Sequence, residues 1–304
     1  MKISVVVPCF QAQSTLKELC ERLEHSISEI TPDFEIILVD DGSIDSTWEV
    51  ISQIAIQNQQ IQGIKLSRNF GQHNAITAGL CKSRGEWVVV MDCDLQDKPE
   101  EIINFYNKSQ EGFHVVVGIR NARKDSFSKR VSSIVFYSLF QKLTGSKFDK
   151  RMGNFGIYSR IVIESILELK EQHRSFGLLA MWVGFSRTEI NVNHDARPSG
   201  DSNYKFGQRA SLALNSIVSH TNRLLHLSIL LGLLIAGTAM ILVALLIVRF
   251  LFFGITTEGW TSLIISIYFT SGISLAAVGL LGVYVGKVFN ETKARPFYII
   301  EKQI

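Results

Sequence analysis

Two long stretches without a charged side chain constrain this chain more than any other feature. Between Arg223 and Arg249 lie 25 residues with no Lys, Arg, Asp or Glu, and between Glu258 and Lys287 lie 28 more. A helix needs about 20 apolar residues to cross a bilayer, so spans are predicted at about 224–248 and 263–286. Everything ahead of Arg223 reads as soluble protein. The expected arrangement is a soluble domain, then a transmembrane hairpin and tail over 223–304. With 46% hydrophobic and 19% charged residues in 304, a disordered chain is excluded.

Charge sets the expected orientation. Arg223 precedes the first run, and Lys287, Lys293 and Arg295 end or follow the second, while the short connection holds only Arg249 and Glu258. The positive-inside rule therefore predicts that the soluble domain and both termini are cytoplasmic, as in a bacterial inner-membrane protein. No secretory signal is read at the start, because Ile3–Val7 already has the character of a buried strand closed by Pro8. The four cysteines, Cys9, Cys20, Cys81 and Cys93, show no C-x-x-C spacing, so neither a disulfide framework nor a zinc site is expected. A net charge of +3 gives no ground for a nucleic-acid partner.

Through the first 120 residues, short apolar runs alternate with helical stretches. Strands are predicted at Ile3–Val7, Glu35–Val39, Ile61–Leu66, Trp87–Met91 and Val115–Val117, with helices starting near Ser14, Asp45, Gln72 and Pro99. Continuous apolar strands separated by helices predict an α/β domain with a mostly parallel sheet covered on both faces. Ligands bind such sheets beyond the carboxyl ends of the strands, where Pro8-Cys9-Phe10, Asp40-Asp41-Gly42-Ser43 and Asp92-Cys93-Asp94 stand. Between Ile119 and Arg160 there are ten Lys/Arg against two Asp/Glu. The helical pattern over Ser126–Leu143 sets Phe127, Ile134, Phe136 and Phe140 beside Lys129, Arg130 and Lys142, the character of a helix lying in a membrane interface. The other reading is a core-packing helix with a solvated basic face.

Asp92-Cys93-Asp94-Leu95-Gln96 carries the most chemistry. Aspartates at i and i+2 on extended backbone project to one side. Two carboxylates and a carboxamide suit Mg²⁺ or Mn²⁺, hard cations that also take phosphate oxygens. A solvated turn ahead of the next helix is the structural alternative. Asp40 and Asp41 precede a helix start that Ser43 or Asp45 can cap unaided, which leaves Asp40 available for a ribose or a base edge. Small residues Ala75, Ala78 and Gly79 predict a closely packed helix after Arg68-Asn69-Phe70-Gly71-Gln72-His73.

The segments VVPCF, ILVDDGS, LSRNFGQHNAITAGL and VVVMDCDLQDKPEE, with the tail GLLGVYVGKVFNETKARPFY, resemble glycosyltransferase family 2 and more narrowly its polyprenyl-phosphate branch. The resemblance runs from Ile3 to about Tyr298. It implies a GT-A (Rossmann-like) domain that transfers one sugar, with inversion, from a nucleoside-diphosphate sugar, UDP by default, to a membrane polyprenyl phosphate. By motif, Pro8, Phe10, Asp40 and Asp41 would hold the nucleoside, and Asp92, Asp94 and Gln96 the metal and diphosphate. Arg120, Lys129, Arg130 and Ser133 match the family's phosphate-binding positions. Arg197, Gly200, Ser202 and Tyr204 match a loop that closes over the donor.

The chain departs from the family in three places: Cys9-Phe10-Gln11-Ala12 replaces x-Y-N-E, Asn203 replaces a lysine, and Asn154 replaces an acid. Expected catalytic residues are Asp94, Arg120 and Asn154. The expected domains are a donor half at 1–120, an acceptor half at 121–222 and the membrane segment at 223–304. A fragment ending at His220 is expected to keep nucleotide binding. Gly282-x-x-x-Gly286 offers a helix-packing face for a homo-oligomer. The alternatives are a membrane-anchored transferase acting on a hydroxyl and a non-catalytic scaffold that binds a nucleotide sugar.

Overall fold

The computed structural model describes residues 1–120, 152–172, 174–192, 223–253 and 259–304. They fall into two compact units, one holding the described residues up to 192 together with 295–304, the other holding 223–253 and 259–294. In the first unit the order is β1 (Ile3–Cys9), α1 (Leu16–Ser28), β2 (Phe34–Asp40), α2 (Thr47–Gln57), β3 (Ile61–Leu66) and α3 (Gln72–Lys82). Then come β4 (Trp87–Val90), α4 (Glu101–Ser109), β5 (Val115–Arg120), β6 (Met152–Ser159), α5 (Arg160–Glu168), α6 (Phe176–Trp182) and β7 (Arg187–Val192). The second unit holds α7 (Arg223–Phe253) and α8 (Trp260–Thr292), after which β8 (Ile300–Gln303) returns to the first.

The sheet has eight strands in the order β7-β5-β6-β4-β1-β2-β3-β8. Strands β4, β1, β2 and β3 run parallel, as does the pair β5 and β7. Strand β6 is antiparallel to both its neighbours, and β8 is antiparallel to β3. The five predicted strands and four predicted helix starts are all present, shifted by at most a few residues. Strands β1, β2 and β4 are apolar along most of their length on both faces because both faces are covered. Val5 and Val7 pack in one core with Leu19 of α1, Ile51 of α2 and Phe105 of α4. Val6, between them, packs in the other with Ile76 of α3, Ile163 of α5 and Leu179 of α6. A Cβ on Gly79 would collide with the Val6 side chain, so the small residues of α3 do serve close packing.

The amino ends of the central strands are tied by one buried acid. Glu35 is 0% exposed, and its carboxylate accepts the Ser4 hydroxyl at 2.6 Å and the Arg84 N–H at 2.7 Å. Gln62 donates to its other oxygen at 3.1 Å, with the solvated Arg84 guanidinium at 3.3 Å. Ser4 in turn accepts the Gly85 N–H at 2.7 Å, which pins the connection between α3 and β4 beneath the sheet.

Sequence analysis did not anticipate β6, β7, α5, α6 or β8, and β8 is the one that follows the apolar helices. Past its end, Ile304 and Gly63 exchange two backbone hydrogen bonds of 2.9 Å, and Ser67 N–H donates to Ile299 at 2.9 Å. Upstream, the Phe297 ring lies 4.7 Å from the buried Arg174 guanidinium, which itself donates to the Ile166 carbonyl at the end of α5. Among the described residues, one helix, α8, contains a stretch (Ser266–Thr292) long and apolar enough to cross a membrane; α7 contains a shorter apolar stretch, Ser228–Ile241. The expected hairpin turn includes residues 254–258, and the expected interfacial helix spans Ser126–Leu143; both lie outside the described residues.

Candidate active site

Four loops leave the carboxyl ends of β1 to β4, and they are cross-linked by polar contacts. The first two are joined by Asp41 N–H to the Cys9 carbonyl at 2.8 Å, Gln11 N–H to Ser43 Oγ at 3.0 Å and Ala12 N–H to Thr47 Oγ1 at 2.9 Å. Gln11 holds φ at 52°, a left-handed conformation uncommon outside glycine. Asp41 joins the second loop to the third, with its carboxylate accepting the N–H of Phe70 at 2.7 Å and of Gly71 at 2.9 Å. Burial pushes the Asp41 carboxyl above its usual range, against the two N–H bonds that pull it down. Gly42, at φ 68°, lies so close to the Arg68–Asn69 backbone that a Cβ there would overlap it.

The third loop reaches the fourth through Gln72, whose side-chain amide donates to Asp92 Oδ1 at 2.6 Å. Sequence analysis passed over Gln72. Its signal was its place in the run from Arg68 to His73, which follows β3 at the same end of the sheet as the acidic motif after β4. Within that motif Leu95 takes φ 59°, which turns the Gln96 N–H back onto Asp94 Oδ1 at 3.2 Å. Non-glycine residues in such conformations cluster where function needs a particular backbone shape. Cys93 turns the other way, and its carbonyl accepts the Thr15 hydroxyl at 2.8 Å.

The predicted site residues separate into groups. Pro8 is buried, while Phe10 beside it is 45% exposed and presents an aromatic face. Asp40 is 0% exposed; Oδ1 accepts the Ser43 N–H at 3.0 Å and Oδ2 has no hydrogen-bond partner. An acceptor buried in that state suits a ligand N–H or O–H. Asp41 acts as the clamp described above. Asn154 lines a cavity of about 160 Å³ with His73, Val117, Tyr158, Ser175 and Arg187. Burial lowers the His73 imidazole below its usual range, and its Nδ1 accepts the Phe176 N–H at 3.3 Å. Arg120 is the last residue of β5. Lys129, Arg130, Ser133, Arg197, Gly200, Ser202, Asn203 and Tyr204 lie outside the described residues.

Among the described residues no group of three His, Cys, Asp or Glu side chains is placed to hold a metal. The donor set of Asp92, Asp94 and Gln96 fits a hard cation that completes its shell elsewhere. Mg²⁺ and Mn²⁺ sites of that kind use one or two carboxylates and fill the remaining positions with water and substrate phosphate.

Residues 4–167 match the family described as Glycosyl transferase family 2. The chain is similar to the undecaprenyl-phosphate 4-deoxy-4-formamido-L-arabinose transferase of Photorhabdus laumondii, 34% identical over 310 residues, covering 100% of this chain and 94% of that one. It is also similar to the uncharacterized glycosyltransferase YkcC of Bacillus subtilis, 32% identical over 303 residues, covering 99% and 94%. Among solved structures, S. aureus TarS 1–349 in complex with UDP-GlcNAc aligns with a TM-score of 0.50 at 18% identity, over 72% of this chain and 66% of that one. The fold is GT-A, Rossmann-like with a mostly parallel sheet.

Proposed function

This chain belongs to glycosyl transferase family 2 and is a glycosyltransferase, and from that premise we propose that it moves one sugar, with inversion, from a UDP-sugar to a membrane polyprenyl phosphate. The observation that carries the reading is the linked row of loops at the carboxyl ends of β1 to β4. There a buried Asp40 oxygen without a partner and an exposed Phe10 face stand on the same sheet end as the acidic motif. Asp40 would accept from the nucleoside and Phe10 would stack on its base. Asp92, Asp94 and Gln96 would hold Mg²⁺ or Mn²⁺ against the diphosphate. A cation bound there supplies charge neutralisation of the leaving nucleoside diphosphate.

The acceptor is taken from the relatives named for undecaprenyl phosphate and from the apolar helix α8. A phosphomonoester is largely ionised near neutrality, with a second pKa of about 6, so its oxygen attacks without surrendering a proton. That suits an asparagine at position 154, which cannot act as a general base. Arg120, Lys129, Arg130 and Ser133 would hold the acceptor phosphate. Arg197, Ser202 and Tyr204 would close over the donor. Residues 1–120 then serve the donor, 121–222 the acceptor, and 223–304 the membrane, with both termini cytoplasmic. Gly282 and Gly286 would pack a homo-oligomer, and among the described residues nothing beyond the adjoining helix backbone lies within 4 Å of a Cβ built on either.

One assay tests the reading. Membranes containing the protein, given radiolabelled UDP-sugars with Mn²⁺, should transfer label into chloroform-extractable lipid. Label appearing only in a glycan or hydroxyl-linked product would replace the phosphate acceptor. Binding without transfer would make the chain a scaffold.

A further inference from the structure

The cavity of about 160 Å³ is lined by polar side chains that the fold itself leaves unused. Tyr158 is 1% exposed, and among the described residues its hydroxyl has no hydrogen-bond partner. Ser175 precedes α6, and its side chain makes no capping bond to that helix. Burial favours the neutral His73 ring, and Nδ1 accepts the Phe176 N–H at 3.3 Å. The ring proton therefore sits on Nε2, which remains as a donor.

The cavity stands beside the acidic motif. Val90 pairs with Gly156, and Asp92 and Asn154 each lie two residues from that pair in sequence. His73 follows Gln72, whose amide donates to Asp92 Oδ1 at 2.6 Å. The Tyr158 side chain leans toward the same place. Its hydroxyl lies 3.2 Å from where a Cβ on Gly156 would stand, so the missing side chain makes room for it. Tyr158 and Val117 belong to the core that packs under α3, the helix from which Gln72 reaches Asp92.

We propose that this cavity is the pocket for the transferred sugar, and that His73, Asn154, Tyr158 and Ser175 select a neutral pyranose by its ring hydroxyls. The assignment rests on the proposed function, in which the sugar is bonded to the diphosphate held at Asp92 and Asp94. A hydroxyl both donates and accepts, and the cavity offers partners of both kinds. A cavity of about 150 Å³ takes up benzene, one six-membered ring, so the space here matches a single pyranose. Val115, Val117 and Ala180 give the C–H faces of that ring apolar walls. Arg187 is the one charged residue on the described lining, and it is exposed. No buried charge awaits a carboxylate or an amine there.

Calorimetric titration of the full-length protein in detergent with Mn²⁺ compares UDP, UDP-glucose, UDP-galactose and UDP-glucuronate. The better of the two UDP-hexoses should bind about tenfold tighter than UDP, and tighter than UDP-glucuronate. Tyr158→Phe removes a hydroxyl that the fold does not use, so Tm should hold. Affinity for that UDP-hexose should fall about fivefold, the worth of one neutral hydrogen bond, with UDP affinity unmoved. Gly177 lines the cavity and a Cβ built on it meets no atom within 4 Å, so Gly177→Leu should fold, fill the space and cancel the gain from the hexose. UDP binding with no gain from either hexose, equal losses for UDP and UDP-hexose in Tyr158→Phe, or an undiminished gain in both variants would each overturn the proposal. So would tighter binding of UDP-glucuronate that disappears in Arg187→Ala, which would give the pocket to an anionic group. Failure of UDP itself to bind would instead sink the proposed function, and the sugar pocket with it.

Discussion

Strand β2 carries a buried acid near each end, and the two are satisfied very differently. Glu35 and Asp40 are both 0% exposed. Glu35 has donors on both oxygens, from Ser4, Arg84 and Gln62. Asp40 has one donor on Oδ1 and none on Oδ2. A buried polar atom without a partner costs about 1–3 kcal/mol. The fold meets that demand at the amino end of the strands and leaves it open at the carboxyl end, where α/β sheets bind ligands. In the proposed function the saturated acid belongs to the scaffold and the unsaturated one to the side that faces the donor.

The contrast is sharpest for the scaffold acid. Glu35→Ala should lower stability by about 3 kcal/mol or more, because the Ser4 hydroxyl and a backbone N–H lose their buried acceptor. The exposed Arg84 guanidinium adds little to that figure. Denaturant midpoints of the detergent-solubilised protein measure it, and Glu35→Gln, keeping the shape, should fall between. A Glu35→Ala protein of native stability that had lost only nucleotide affinity would erase the distinction between the two ends.

At the other end the effect should appear in rate. Asp94→Asn keeps shape and removes a charge facing the diphosphate, which should lower turnover by about 10²-fold with the folded fraction unchanged. Near-normal turnover, or full activity in EDTA, would make the motif structural. Asp40→Asn should be milder, weakening nucleotide binding by about tenfold, the worth of one hydrogen bond to a charged group. Its stability should hold or improve, because it removes a buried charge left half-paired. Titration calorimetry with UDP against thermal melts reads both quantities.

The smallest effect belongs to His73, a partly buried group that already has a partner in the Phe176 N–H. Burial depresses its pKa in the folded state. Its contribution to stability is therefore present above the unfolded value of about 6.5 and lost as pH falls below it. His73→Gln should flatten the decline in stability between neutral and acid pH by a fraction of a kcal/mol. Equal slopes in the two proteins would show that the imidazole titrates normally.

Strands β1, β2 and β4 were legible because they are nearly continuous apolar runs buried along almost their whole length. Ile61–Leu66 matched to the residue although Gln62 and Lys65 interrupt its apolar run. The place of the Asp92–Gln96 motif was legible because it directly follows a continuous apolar strand, β4. The role of Asp41 was less so. Its partners, the N–H groups of Phe70 and Gly71, lie some thirty residues away in sequence and carry no side-chain signature. Strand β8 was illegible for a related reason. Ile-Glu-Lys-Gln is mostly exposed at the sheet edge, so its pairing with β3 rests on backbone groups that composition does not encode. Gln72 stood in a segment already singled out, but a hydrogen bond to Asp92 has no spacing rule to announce it.

Strand β8 also changes how the chain must be assembled in time. The apolar helices are an insertion inside the sequence of the sheet, so a fragment ending at His220 lacks its eighth strand and leaves the β3 edge open. Such a fragment should bind nucleotide only if residues 295–304 are spliced back. Roughly a hundred residues separate β7 from β8, and at about 5–20 residues per second their synthesis takes about 5–20 seconds. Throughout that interval β3 offers unpaired backbone to any passing strand, the usual route to edge-to-edge aggregation. The sheet is thus completed only after the apolar helices have left the ribosome, and the pace of their synthesis sets how long that edge stays open.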